Sequence, residues 1–252
     1  MERNSDILLV GSGHMAMEYL KVLEALKKNV HIVGRGKSNI EIIKKKYPQY
    51  SFQSGGIENY LALKNRIPGF VINAVNIKEL GKTTMLLLEN GAKNILVEKP
   101  GDTSLERLKI IQKKINKCKA KVFIAYNRRF YASVLSLIKK AEQEGGIRSL
   151  TFEFTEWTHT FNEKTHDISS LNRWILANSS HVLDTAFFLI GKPKTINCNI
   201  FGENEISWHK SGSIFSGNGI SNKNIPFSYS TDWNSSGRWA IEITTNKKRY
   251  YL

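Results

Sequence analysis

Several clusters in the sequence have the residue types and spacing to do chemistry. Glu98-Lys99-Pro100 closes an apolar run, Asn94-Ile95-Leu96-Val97, with a carboxylate, an ammonium and a ring that fixes the turn. At the end of a strand in an open parallel sheet, such a lysine stands where ligands bind. The competing reading is a structural salt bridge or a plain surface loop. Gly11-Ser12-Gly13-His14-Met15-Ala16 follows the short apolar stretch Asp6–Val10 and opens a helical stretch to about Lys28. That is the layout of a dinucleotide site: Gly11 permits a tight turn, Gly13 lets a pyrophosphate approach the backbone, and the helix N-terminus supplies N–H groups and a positive dipole end. Ala16 is small enough for helix and strand to pack closely.

The second strand, Val30-His31-Ile32-Val33, carries no acid at its end to hold the ribose of NAD. Gly34-Arg35-Gly36-Lys37-Ser38 stands there instead, and Arg35, Lys37 and Ser38 could surround a 2′-phosphate, which favours NADP(H) over NAD(H). The alternative is a basic turn in which Ser38 caps the next helix.

These residues need a scaffold, and the hydrophobic pattern predicts one. Strand and helix alternate strictly: helix to about Tyr47, a weak strand at Tyr50–Gln53, helix over Ile57–Asn65, strand over Gly69–Ala74, helix over Lys78–Asn90 with an Asn90-Gly91 stop, the strand that delivers Lys99, helix over Ser104–Lys117, and strand over Lys121–Ala125. This predicts an α/β Rossmann domain, a doubly wound parallel sheet, over residues 1–126. Beyond Phe130, a helix over Ala132–Glu144 precedes two-residue periods at Phe152-Phe154, Ile196-Cys198-Ile200, Phe227-Tyr229-Thr231-Trp233 and Trp239-Ile241-Ile243. They predict a smaller α+β domain over 127–252 with an open, mainly antiparallel sheet. An insertion, Thr158–Arg173, and a helix over Ser179–Ile190 interrupt it.

Composition narrows the classes of function. The chain has 252 residues, 41% hydrophobic and 23% charged, with a net charge of +15. Its lysines are scattered, as in Lys44-Lys45-Lys46 and Lys113-Lys114, and there is no nucleic-acid motif, so solvated basic helix faces or small anionic ligands explain the charge better than nucleic acid. No apolar run reaches the ~20 residues of a membrane span, and the N-terminus lacks a signal-peptide layout, which predicts a cytoplasmic protein without membrane contact. Cys118 and Cys198 have neither disulfide-framework nor metal-ligand spacing. His159, His166 and Asp167 in the insertion are not persuasively spaced for a metal, and none is expected.

The glycine fingerprint, Glu98-Lys99-Pro100 after the fifth strand, Tyr126-Asn127-Arg128-Arg129-Phe130 at the crossover and a histidine-bearing helix in a sheet domain together resemble the glucose-fructose oxidoreductase and inositol dehydrogenase (Gfo/Idh/MocA) family. The resemblance spans most of the chain, with a shortened C-terminal part. It implies a nicotinamide-dependent oxidoreductase acting on a sugar, cyclitol or nucleotide-sugar, whose second domain binds substrate and forms a homo-oligomer, dimer or tetramer. It also implies that Lys99 is a catalytic residue beside nicotinamide and substrate, with Glu98 orienting its loop. His181 matches the family histidine, with Asp184 one turn on. Ala74 and Asn76 fall on the nucleotide side with Ser12, His14 and Met15, and Val75 and Glu79 stand where Pro and His are common. Tyr126, Arg128, Arg129, Trp174 and Asn178 could line the substrate site, although a basic helix start and a core aromatic would explain several of them. One departure matters: many members carry Asp four residues before the histidine, and this chain has Ala177. An NADPH-dependent carbonyl or imine reductase and a non-catalytic sensor of the same fold are the alternatives.

Overall fold

The computed structural model describes residues 7–63, 66–160, 162–166 and 168–252. Met1–Asp6, Asn65 and Asp167, and the side chain of His159, on which parts of the sequence reading fell, lie outside the described residues. The chain divides into two compact units, Met1–Ala125 and Tyr126–Leu252.

In the first unit β1 (Ile7–Val10), α1 (His14–Ala25), β2 (Val30–Val33), α2 (Lys37–Lys46), β3 (Ser51–Gln53), α3 (Gly56–Ala62), β4 (Phe70–Asn73), α4 (Leu80–Glu89), β5 (Asn94–Val97), α5 (Leu105–Cys118) and β6 (Lys121–Ile124) follow in order. The strands form a parallel sheet ordered β3-β2-β1-β4-β5-β6. A strand buried on both faces needs side chains that are apolar on both, which is why Ile-Leu-Leu-Val forms β1. One face packs Leu9, Ile32 and Ile72 against Ala16, Leu20, Leu23, Ile40 and Ile43 of α1 and α2. The other packs Leu8, Val71, Ile95 and Val97 against α3, α4 and α5. The strand order reverses between β1 and β4, and the loops after those strands border the crevice such a reversal creates.

The helix expected to start at Lys78 begins instead with a 3₁₀ turn, Ile77–Glu79, before α4. It ends as its sequence predicts, with Asn90 as C-cap and Gly91 at φ +90.

The second unit contains α6 (Ala132–Gln143), β7 (Ser149–Phe154), a short α7 (Ile168–Leu171), α8 (Ser180–Ile190), β8 (Pro193–Phe201), β9 (Ile214–Ser221), β10 (Pro226–Asp232), β11 (Trp239–Thr244) and β12 (Arg249–Tyr251). Its sheet runs β12-β11-β7-β10-β9-β8 and is antiparallel except where β7 meets β10. Leu150, Phe152, Phe154, Phe227, Tyr229, Ile241 and Ile243 alternate to one buried face. There α8 covers them, Phe187 meeting Phe152 and Phe227 edge-on at 5.9 and 5.2 Å. Thr151 and Ser228 point to the opposite, exposed face and hydrogen-bond across it at 3.0 Å. The edge strand β8 is exposed along its whole length. Among the described residues no helix is long and apolar enough to cross a membrane.

Candidate functional site

In the first unit the glycine turn sits at the strand-order reversal. Gly11, at φ +129, has no room for a side chain: a Cβ there would lie 2.3 Å from the carbonyl oxygen of Ala74, at the end of β4. Gly13 is the reverse case, because a Cβ there would meet nothing within 4 Å. It is the N-cap of α1 and no side chain satisfies the helix's first N–H groups. His14 and Met15 are exposed in the first turn and Ser12 is half-buried at the bend. An open, uncapped helix start beside two strand ends suits a diphosphate.

The loop after β5 is held from several directions. Tyr19 of α1 donates its hydroxyl to Glu98 Oε1 at 2.6 Å, and burial together with this bond pushes the Tyr19 hydroxyl far above its ordinary pKa. The Glu98 backbone N–H bonds the Asn73 carbonyl of β4 at 2.9 Å. Beyond Lys99, which is half-buried, and a cis bond to Pro100, the chain turns at Gly101 (φ +85) into Asp102. That buried carboxylate accepts from Arg107 Nε at 2.8 Å, Arg107 Nη2 at 2.8 Å and the Ser104 N–H at 2.7 Å. Gly81 of α4 leaves the space it occupies, since a Cβ at 81 would lie 2.0 Å from Asp102 Oδ2. Sequence reading singled out neither Tyr19, Gly81 nor Asp102.

The basic loop after β2 differs from its sequence reading. Arg35 is paired with Glu79, Nη2 to Oε2 at 3.1 Å, across 44 positions of sequence. Ser38 is not a cap: α2 starts at Lys37 behind Gly36, with no side-chain cap, because the chain turns into the helix two residues before the hydroxyl. Lys37 and Ser38 are exposed in its first turn. Asn76 accepts the Lys78 N–H at 3.1 Å and so caps the 3₁₀ turn before α4.

In the second unit the half-buried imidazole of His181, in the first turn of α8, lies between two rings, Tyr126 edge-on at 6.0 Å and Trp239 at 6.0 Å. Arg128 lies over the same Trp239 ring at 4.6 Å. These residues come together as a cluster. Arg129 does not offer a free cation, because it forms a two-point bond with Asp184, Nε to Oδ2 at 2.7 Å, and lies over Phe188. Trp174 is buried, with Trp208 and His166 edge-on at 5.6 and 5.1 Å, and its side chain also bears on Glu156. Asn178 is turned to a residue the sequence reading passed over: its Nδ2 donates to Glu156 Oε1 at 3.0 Å.

Glu156 lies two residues beyond Phe154, so it continues the inward-facing series Leu150, Phe152, Phe154 past the end of β7. The same Oε1 accepts from Ser179 Oγ at 3.1 Å and Trp239 Nε1 at 3.2 Å. Burial pushes its carboxyl above the ordinary value, and the hydrogen bonds from Trp239, Ser179, Asn178 and Trp174 oppose that without cancelling it. An acid at an inward position of an alternating strand was the available signal. Among the described residues no group of three or more His, Cys, Asp or Glu side chains could hold a metal ion.

Neither a protein-family model nor a curated protein sequence matches the chain. Solved structures do. The WlbA dehydrogenase of Chromobacterium violaceum, in complex with NADH and UDP-GlcNAcA, superposes with a TM-score of 0.79 at 15% identity, over 100% of this chain and 74% of that one. An oxidoreductase of Agrobacterium radiobacter, in complex with NAD+, L-tartaric acid and magnesium, gives 0.80 at 14% identity, over 99% and 74%. The dehydrogenase MviM of Clostridium difficile gives 0.76 at 18% identity, over 99% and 77%. The chain therefore has the two-part fold of these dehydrogenases, a parallel dinucleotide-type sheet followed by a mixed, open sheet.

Proposed function

We propose that the chain is a nicotinamide-dependent oxidoreductase that moves a hydride between its cofactor and a sugar, cyclitol or nucleotide-sugar hydroxyl. One observation carries the reading. The helix whose uncapped start faces the glycine turn also holds Glu98, through Tyr19, so a single element sets both the diphosphate cradle and the loop bearing Lys99. The residues fit a dinucleotide: Gly11 lets the turn close on Ala74, and Gly13 leaves space over the helix start. Gly11, Ser12, Gly13, His14 and Met15 would cradle its phosphates, with Ala74, Asn76 and Glu98 along its nicotinamide side. A nicotinamide, when bound, supplies a hydride acceptor or donor. In the oxidising direction the substrate's C–H hydrogen leaves with both bonding electrons, the O–H proton passes to His181, and a carbonyl forms. Lys99, on the loop that Tyr19 holds through Glu98, is the other catalytic residue of this reading, an ammonium suited to developing negative charge. Tyr126, edge-on to His181, and Arg128, over the Trp239 ring that also packs on His181, are substrate contacts of this reading.

NADP(H) remains the favoured cofactor, with Lys37 and Ser38 in the exposed first turn of α2 and Arg35 shared with Glu79. The solved dehydrogenases of this fold that hold NADH or NAD+ support a nicotinamide and not the phosphate. The net charge of +15 suits a substrate that itself bears phosphate, as UDP-GlcNAcA does in WlbA. A homo-oligomer formed through the second unit's sheet is supported by β8, where Ile196 and Ile200 are more than half exposed.

Gly13→Ala tests the cofactor site. The added methyl enters open space at a φ of −88, so the fold is expected to persist with an unchanged melting temperature. NAD(P)H binding, followed by fluorescence, is expected to weaken at least about tenfold as the methyl blocks phosphate approach. Unchanged affinity removes the glycine turn from the binding site, and a wild-type protein that turns over no sugar or nucleotide-sugar with either nicotinamide removes the activity.

A further inference from the structure

His181 has no acidic residue one helical turn before it, because Ala177 occupies that position. Yet a carboxylate reaches this part of the second unit from another element. We propose that Glu156, at the end of β7, is the positioning acid of the His181 centre, its negative charge favouring the protonated imidazole and so the uptake of the substrate proton; this rests on the oxidoreductase reading given above.

Geometry supports the assignment. Asn178 and Ser179, three and two residues before His181, both donate to Glu156 Oε1. They lie in a π-helical turn, Ile175–Ser179, that runs directly into α8. The wider turn places consecutive side chains toward the strand end, and such turns are frequent at functional sites. The third donor, Trp239, packs its ring against His181 at 6.0 Å while its N–H holds the carboxylate. Glu156 is therefore tied to the imidazole's own helix and to the ring that packs on it. Three donors on one oxygen are more than packing requires, and they offset part of what burial costs the ionised form.

Other charges around the centre are accounted for. On α8, Asp184 is neutralised by Arg129 from the 3₁₀ turn that precedes α6. Arg128, from the same turn, lies over Trp239, and Arg238 lies over Trp157 at 4.0 Å. Tyr126, edge-on to His181, is held in its neutral form by burial. Glu153 of β7 and Glu242 of β11 alternate to the opposite face of the sheet, where Glu242 pairs with Arg249 at 3.2 Å. Among the described acids of the sheet, Glu156 is the one bonded to the covering helix, through Asn178 and Ser179.

Glu156→Gln separates charge from packing, because the amide oxygen can still accept from Asn178, Ser179 and Trp239. The expected result is a kcat lowered about tenfold or more with KM within about threefold, and an acid limb of the kcat profile moved to lower pH. Cofactor affinity is expected to stay near wild type, and the protein to stay folded. The second readout needs no turnover. NMR titration of the His181 imidazole, assigned with His181→Gln, is expected at lower pH in E156Q than in wild type. In the wild-type protein the same resonance is expected to register Glu156 protonation as a second inflection at acid pH. Identical titrations, or a wild-type curve with one inflection, overturn the proposal even if the enzyme is active. A shifted titration in a protein that turns over nothing keeps Glu156 and discards the oxidoreductase reading.

Discussion

Replacing Gly81 by alanine tests whether the Lys99 loop is anchored as the structure has it. The new methyl would lie 2.0 Å from Asp102 Oδ2, whereas ordinary contact begins near 3.4 Å, so the carboxylate must move by more than an ångström. Asp102 is 2% exposed and its oxygens are committed to Arg107 and the Ser104 N–H. Overpacking costs about 1–3 kcal/mol. Losing one bond of a charged group adds about 1.5–3 kcal/mol. Alanine's helix preference returns at most about 1 kcal/mol. The net expectation is a loss of about 2–4 kcal/mol, read by urea denaturation, with reduced turnover because Asp102 lies three residues past Lys99. The decisive measurement is the double-mutant cycle with Asp102→Ala. Removing the carboxylate empties the space, so Gly81→Ala should then be nearly neutral, a coupling of about 2–4 kcal/mol. A stabilised G81A protein, or the same loss in both backgrounds, refutes the anchoring.

Two further tests address electrostatics. Glu79→Gln releases Arg35 and removes a negative charge beside it. NADPH affinity is expected to rise about threefold or more with NADH affinity unchanged, and an equal response of both cofactors in a fluorescence titration places Arg35 away from the 2′-phosphate. For Glu156, burial holds the folded-state pKa above the ordinary value, so the folded protein keeps this proton more tightly than the unfolded chain. Its contribution to stability is present below the unfolded value and is lost as pH rises through the folded one. The stability of E156Q relative to wild type should therefore improve from about pH 4 to about pH 7, and a difference that moves the other way would show the carboxylate to be stabilised by its surroundings.

What the sequence disclosed follows from how locally each feature is determined. β1 and β5 are legible because a strand buried on both faces must be a continuous apolar run. The glycine turn is legible because its chemistry is contiguous. β9 is not: Ile214–Ser221 includes Gly217 and Gly219, residues unfavourable in strands, and only the fold shows why they are there. A Cβ at Gly219 would lie 2.6 Å from the Phe227 ring and one at Gly217 2.5 Å from the Tyr229 hydroxyl, so aromatic rings of β10 occupy the missing side chains' places. Partners distant in sequence are equally invisible. Glu79 beside Arg35 and Asp184 beside Arg129 lie 44 and 55 positions away, where no local pattern discloses them.

Glu156 is the instructive case, because on the proposed assignment the acid comes from another element than the one that carries His181. An acid at position 177 would act along one helix, its distance to His181 fixed by helical repeat. An acid at the end of β7 must be brought to α8 by tertiary structure, and it is held by groups from more than one element: Asn178 and Ser179 from the π-turn and Trp239 from β11. That arrangement has a physical consequence. A helix-borne pair survives loosening of the sheet, whereas a strand-borne acid loses its placement when β7 and α8 part. Proton handling by His181 should thus be more sensitive than cofactor binding to any substitution that loosens α8 against β7, such as truncation of Phe187 where it meets Phe152. The loop that bears Lys99 is held by contacts within the first unit, from Tyr19, Asp102 and Gly81.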